Sequence, residues 1–182
     1  MILVRYAELS SLLYHGSDIS FDKIDLQRSS PHKDFGSGFY TTNDRTQAEK
    51  FARLKARRSQ AHHGYVEVFG LDNYEGLAVK KFEAANEDWF DFVLCNRGFG
   101  SLANAQALET YDIVIGPVAN DAVGLVLNQY IAGTYGVPYN RVSKETAIRL
   151  LLTQKLHNQV FFGTEQAVAR LSFSEVYDVY LD

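Results

Sequence analysis

The sequence predicts an α+β fold, and two observations carry that prediction. Segments with strand periodicity and segments with helix periodicity alternate along the 182 residues, without the regular strand–helix–strand repeat of a doubly wound sheet. Only three prolines occur, and no Pro-rich linker, repeat or low-complexity stretch marks a boundary, so residues 1–182 are expected to form one domain. With 46% apolar and aromatic residues, a chain of this length buries about 70% of its unfolded surface in a single core.

The elements follow in order. Leu12 to Tyr14 is a short apolar run that ends at His15-Gly16-Ser17, a strand running into a loop. Gly36-Ser37-Gly38-Phe39-Tyr40-Thr41-Thr42 joins a glycine turn to residues of high β-propensity. Asp44 offers an N-cap with Gln47 three positions on, and Ala48, Phe51 and Ala52 recur at helical spacing, so a helix is expected to about Gln60. Tyr65 to Phe69 alternates apolar with polar residues as a half-buried strand does, and Leu77 to Phe82 is a second, shorter strand. Asn86 caps a helix with Glu87 and Asp88 in its first turn, Trp89, Phe92 and Val93 on one face, and Gly98 at its end. Tyr111 to Val118 is nearly continuous β-branched apolar sequence, the pattern of a strand buried on both faces in the middle of a sheet. Helices from Asp121 to Ala132 and from Lys144 to Gln154, the latter capped by Ser143, precede a strand at Gln159 to Phe162. Thr164 then caps a short C-terminal helix.

Eighteen Lys and Arg against 22 Asp and Glu give a net charge of −4 and a pI near 5.7, far from the basic balance of most nucleic-acid binders. The single cysteine, Cys95, allows neither an intramolecular disulfide nor a cysteine zinc site, which fits a reducing, cytoplasmic setting. No run approaches the ~18 apolar residues of a membrane span. The commonest catalytic and nucleotide-binding fingerprints are absent, and the five histidines show no metal spacing; His62-His63 is an adjacent pair, whose side chains do not face one another on a helix. No metal is expected.

Two segments pair a chemically capable side chain with permissive backbone. In Leu13-Tyr14-His15-Gly16-Ser17 an imidazole at a strand end precedes a glycine whose bare backbone can approach a planar ligand. In Asp34-Phe35-Gly36-Ser37-Gly38-Phe39-Tyr40 two glycines let a ligand close on the turn. Asp34 is either a turn residue or a group that orients a ligand hydroxyl. Arg97 either meets its helix C-terminus or binds a pyrophosphate. Lys50, Arg53, Lys55, Arg57 and Arg58 form the only basic concentration in the chain, a solvated helix face or one that attracts an acidic partner or nucleic acid.

Taken together, LYHGS and GSGFYTT resemble the ADP-ribosyltransferase superfamily, in its His-Tyr-Glu branch. The run from LYHGS through DFGSGFYTT, QAEKFA, DFVLCNR and YDIVIGPVAND to NQVFFGTEQAVARL more closely resembles a bacterial family within it, described as a domain of unknown function and often encoded beside small regulatory partners. The resemblance covers Leu13 to Phe173. It implies a split mixed or antiparallel sheet core flanked by helices, with NAD as the substrate. His15 would bond a ribose hydroxyl of NAD, the Gly16 backbone would hold the nicotinamide amide, and Tyr40 and Phe51 would sandwich the nicotinamide ring, with Ser17, Asp34 and Gly38 lining the pocket. The implied activity is mono-ADP-ribosyl transfer to a protein or nucleic acid, by the toxin of an intracellular toxin–antitoxin pair with its own antitoxin protein. At the position of the motif glutamate stands Gln159, whose amide hydrogen-bonds ribose but carries no charge. Glu165, the nearest acid along the chain, lies about 20 Å further along an extended strand and suits the first turn of its helix. Without that carboxylate, two alternatives remain open: NAD glycohydrolysis or phosphate removal from RNA, and a non-catalytic module that binds a nucleotide or a protein partner.

Overall fold

A computed structural model describes residues 12–99, 110–118, 121–152 and 157–181. Strands β1 (Leu12–Ser17), β2 (Phe39–Thr41), β3 (His63–Leu71), β4 (Val79–Lys81), β5 (Ile113–Val118), β6 (His157–Phe162) and β7 (Leu171–Tyr180) are interleaved with helices α1 (Arg45–Ser59), α2 (Glu87–Leu94), α3 (Asp121–Ile131), α4 (Arg141–Leu152) and α5 (Glu165–Val168). The α+β class is observed. The strands form two sheets, in the orders β1-β3-β7 and β2-β6-β5-β4; β4 runs parallel to β5 and every other pair is antiparallel. A single bridge joins the sheets, with Tyr14 N–H donating to Thr42 O at 2.8 Å and Thr42 N–H donating to Tyr14 O at 2.9 Å.

Three clusters of apolar side chains set the layers. Ala48 and Ala52 on α1 pack on Val66, Val68 and Val179 of the three-stranded sheet, and Ala56 is buried on the same helix. Leu13 and Phe69 from that sheet meet Phe39, Ile113, Val160 and Phe162 from the four-stranded one. Phe161 and Val114, on the far side of the second sheet, pack under Trp89, Phe90 and Val93 of α2 and Leu127 and Tyr130 of α3. The order of layers is therefore α1, three strands, four strands, and the helices α2 to α4.

Local signals explain most of the elements. Asp44 accepts from Thr46 N–H and Gln47 N–H to start α1, and Asn86 accepts from Trp89 N–H to start α2. Helix α1 packs directly on the backbone of its sheet because small residues face one another. A Cβ on Gly16 would lie 2.2 Å from Ala48 O, and one on Gly64 would lie 2.5 Å from Ala52 O. Strand β5 runs between β4 and β6, in the middle of its sheet as expected. Among the described residues no helix is long and apolar enough to cross a membrane.

Four expectations change. Helix α4 begins at Arg141, so Ser143 lies inside it rather than at its N-cap, and its hydroxyl donates to the Val137 and Asn140 carbonyls. His15, Gly16 and Ser17 belong to β1 itself rather than to the loop after it. Glu67 should face solvent by the alternation of Tyr65 to Phe69, yet it is fully buried. The chain also continues past its last short helix into the ten-residue strand β7, which pairs along the whole of β3. A bulge hides that strand from a two-residue period. Phe69 pairs with Phe173 and Val68 with Glu175, which leaves Ser174 as the extra residue and moves the next residue on the Phe173 face to Val176.

Candidate functional site

The sheet junction brings the two glycine-bearing segments together. His15 Nδ1 donates to the Tyr40 backbone carbonyl at 2.6 Å, and the imidazole lies 4.7 Å from the Phe39 ring and 5.6 Å from the Phe21 ring. Burial in this aromatic surround is the main cause of a pKa lowered to about 4, with the charges of Lys55 and Lys33 acting in the same direction. The ring is neutral at pH 7. Because a carbonyl only accepts, its one proton is on Nδ1, and Nε2 presents a lone pair that can accept from a hydroxyl.

Tyr40 is held firmly. Its hydroxyl donates to Gly36 O at 2.8 Å and accepts from Phe35 N–H at 3.1 Å, while its ring packs 5.0 Å from Phe161. The Lys33 ammonium stands 5.0 Å from the ring centroid. Residues alternate across a strand, so the Tyr40 ring and the Phe39 ring point to opposite sides of β2. His15, against Phe39, and Tyr40 therefore meet at the backbone and diverge at their side chains. Gln159 lies two residues before Phe161, which pairs with Tyr40, and this puts Gln159 on the Tyr40 side; it is half-buried.

The remaining expected residues have other partners. The space beside Gly16 is filled by the backbone of α1, so its missing side chain serves helix packing rather than the approach of a ligand. Gly38 has the same use on the other sheet, where a Cβ would lie 2.3 Å from the Phe161 ring and 2.6 Å from Phe162 O. The buried Ser17 hydroxyl donates to Ile19 O and lies 3.3 Å from Glu67 Oε1. Asp34, also buried, accepts from Arg97 Nε and Nη2, both at 2.7 Å. That pair ties the glycine loop to the turn that follows α2 and commits both candidates to structure. Phe51 is 42% exposed on α1, with Lys55 Nζ 5.6 Å from its ring, and it makes no contact with the Tyr40 ring. Glu165 lies exposed beyond the far end of β6 from Gln159. The acid beside it, Asp112, is engaged by Thr164 and Gln166, each at 2.6 Å, and by Ala78 N–H at 2.8 Å.

Sequence reasoning missed Glu67 and Lys33, and placed Lys55 only in the basic run of its helix. Glu67 pairs with His15 in the β1–β3 register, so the two side chains share a face. Burial raises its carboxyl to about 7, and its Oε2 has no hydrogen-bond partner. Lys33 and Lys55 make no ion pair with a carboxylate among the described residues, and both lie close enough to His15 for their charges to act on it. Lys33 is itself pushed down by burial and by Lys55. Lys33 and Lys55 are separated by 22 positions, and nothing along the chain signals that they converge on one imidazole. Two concavities of about 410 and 390 Å³ lie elsewhere, around α2 and α4, and none of the expected site residues lines them.

No curated protein and no solved structure matches the chain. One family model does, over residues 11–173, and it is described as a protein of unknown function (DUF3990). That match spans most of the sequence, and the chain belongs to this family.

Proposed function

We propose that the chain binds NAD at the junction of β1 and β2 and transfers its ADP-ribose to a macromolecule. The observation that carries this is the neutral His15 imidazole, fixed to the Tyr40 carbonyl and flanked by two lysines without carboxylate partners. Nε2 accepts from a ribose hydroxyl, Lys33 and Lys55 offset the diphosphate charge, and the half-buried face of Tyr40 under Lys33 receives a planar ring once the ammonium moves onto phosphate. The divergence of His15 and Tyr40 suits an extended ligand with a hydroxylated part and a planar part. In the reaction the bond between nicotinamide nitrogen and ribose C1′ breaks, nicotinamide leaves with the bonding pair, and an acceptor oxygen or nitrogen bonds to C1′ and releases its proton. Gln159 steadies a ribose hydroxyl but takes no proton.

That missing base supports a second reading, NAD glycohydrolysis with water as the acceptor. Phosphate removal from RNA and ligand binding without turnover draw no support from the His15 and Tyr40 geometry. Purified protein is incubated with NAD labelled in the adenine ring and with cell lysate, and both free nicotinamide and labelled macromolecules are measured. Label on a macromolecule supports transfer; free ADP-ribose alone supports hydrolysis; no released nicotinamide refutes both. A toxic activity countered by a cognate antitoxin is proposed from the family resemblance alone. Expressing the chain should then arrest growth, and His15→Ala should relieve the arrest.

A further inference from the structure

Helix α1 concentrates positive charge in a chain that is acidic as a whole. Arg45, Lys50, Arg53, Lys55, Arg57 and Arg58 are six of the 18 Lys and Arg, gathered in 15 residues with one acid, Glu49. They do not serve one purpose. Arg45 bonds Glu49 and the Tyr177 hydroxyl, and Arg53 donates to the Tyr180 carbonyl, so these two turn toward β7. Lys55 lies beside Phe51 on the opposite flank, toward His15. Between the flanks and directly away from the Ala48, Ala52 and Ala56 face run Lys50, Leu54 and Arg57 at helical spacing, with Arg58 next to them.

This outer face carries a cost that a merely solvated helix avoids. Lys50 with Arg53, Arg53 with Arg57, and Lys55 with Arg58 are like-charge neighbours three or four residues apart, which destabilise a helix. Lys50, Arg57 and Arg58 are exposed and make no ion pair among the described residues. The negative end of the helix dipole favours Arg57 and Arg58 but does nothing for Lys50. Leu54 is 39% exposed in the middle of the cations, and Phe51 is 42% exposed at their border. From Lys50 to Arg58 the helix rises about 12 Å.

We propose that this face of α1 docks a single-stranded nucleic acid, its phosphates on Lys50, Arg57 and Arg58, its ribose against Leu54 and a base face on the Phe51 ring. The strand then leads past Phe51 and Lys55 to His15, which makes nucleic acid the acceptor class. Charge selects a polyanion, and the exposed Phe51 ring at the border of the cations offers a stacking face to an unstacked base, which an acidic helix lacks. Only the word acceptor rests on the NAD chemistry proposed above; the docking does not.

The test measures fluorescence anisotropy of labelled 12-nucleotide single-stranded RNA and DNA against the wild-type chain at 50 and 200 mM salt, with no NAD. The triple variant Lys50→Ala, Arg57→Ala, Arg58→Ala is compared after circular dichroism confirms its fold. Wild-type binding that weakens with salt is expected. The variant should bind at least 10-fold more weakly, with a log–log salt slope shallower by about 2, as three lost phosphate contacts require. A single substitution, Lys50→Glu, should weaken binding in the same direction if the triple variant does not fold. No binding by wild type at 50 mM salt, an unchanged affinity in the variants, or preference for poly-glutamate over both oligonucleotides would overturn the proposal. Nicotinamide release from NAD is scored separately. Its failure in wild type overturns the transfer chemistry, while anisotropy alone decides the docking face.

Discussion

The two sides of the sheet junction are built differently. On the β1–β3 side stand His15, Ser17 and Glu67, polar groups of which burial shifts two, His15 and Glu67, toward their neutral forms. On the β2–β6 side stand Tyr40 and Phe161, an aromatic pair whose one hydroxyl is already bonded at both ends. A junction with one polar, adaptable side and one rigid, aromatic side fits a ligand that is hydroxylated at one end and planar at the other. It also separates the residues that respond to pH from those that do not.

The glycines that let each side pack give the largest expected effects. Gly16→Ala pushes a methyl group into the backbone of α1, and Gly38→Ala pushes one into Phe161 and the Phe162 carbonyl. Each should cost about 3 kcal/mol or more in urea unfolding, the upper end of overpacking, because backbone cannot step aside. A loss below about 1 kcal/mol at Gly16 would mean that its bareness serves a ligand after all.

Next in size is the opposition of His15 and Glu67. His15 is depressed from 6.5 to about 4, so the stability it contributes is complete above pH 6.5 and is lost as pH falls toward 4. Glu67 is raised from 4.5 to about 7, so its contribution is complete below pH 4.5 and is lost as pH rises toward 7. Each shift corresponds to about 3 kcal/mol at most, and between pH 4.5 and 6.5 the two slopes oppose each other. Glu67→Gln should therefore become more stable relative to wild type as pH rises from 4.5 to 7, whereas His15→Gln should become less stable relative to wild type from pH 4 to 6.5. Urea unfolding at four pH values checks both. Parallel profiles would show that neither group is perturbed.

Smaller still is Tyr40→Phe, which leaves Phe35 N–H and Gly36 O without their bonds and should cost about 1–2 kcal/mol. Its pH profile should follow that of wild type, since burial raises the pKa of the Tyr40 hydroxyl and keeps it protonated between pH 4 and 8. A changed profile would couple the two sides.

Much of this architecture is legible along the chain. Capping by Asp44, Asn86 and Thr164 locates three helix starts, and the apolar run before Val118 marks an interior strand, because both signals are local. Pairings across the fold are another matter. Glu67 reads as a solvent residue until β1 covers it with His15 and Ser17, and β7 escapes notice because Ser174 breaks its period. The motifs around His15 and Tyr40 do come together, yet the reason for Gly16 changes from ligand to helix, and Asp34 with Arg97 forms a tie rather than a pocket wall. Lys33 and Lys55 become neighbours of His15 only through the fold.

The most direct measurement is ¹⁵N NMR of the histidine ring nitrogens during titration with acid and with NAD. For His15 the expected spectrum at pH 7 shows Nδ1 protonated and Nε2 bare, no protonation until the pH falls toward 4, and a shift of Nε2 on adding NAD as it accepts a ribose hydroxyl. An imidazole that titrates near the ordinary value of about 6.5 and does not respond to NAD would contradict the proposed site.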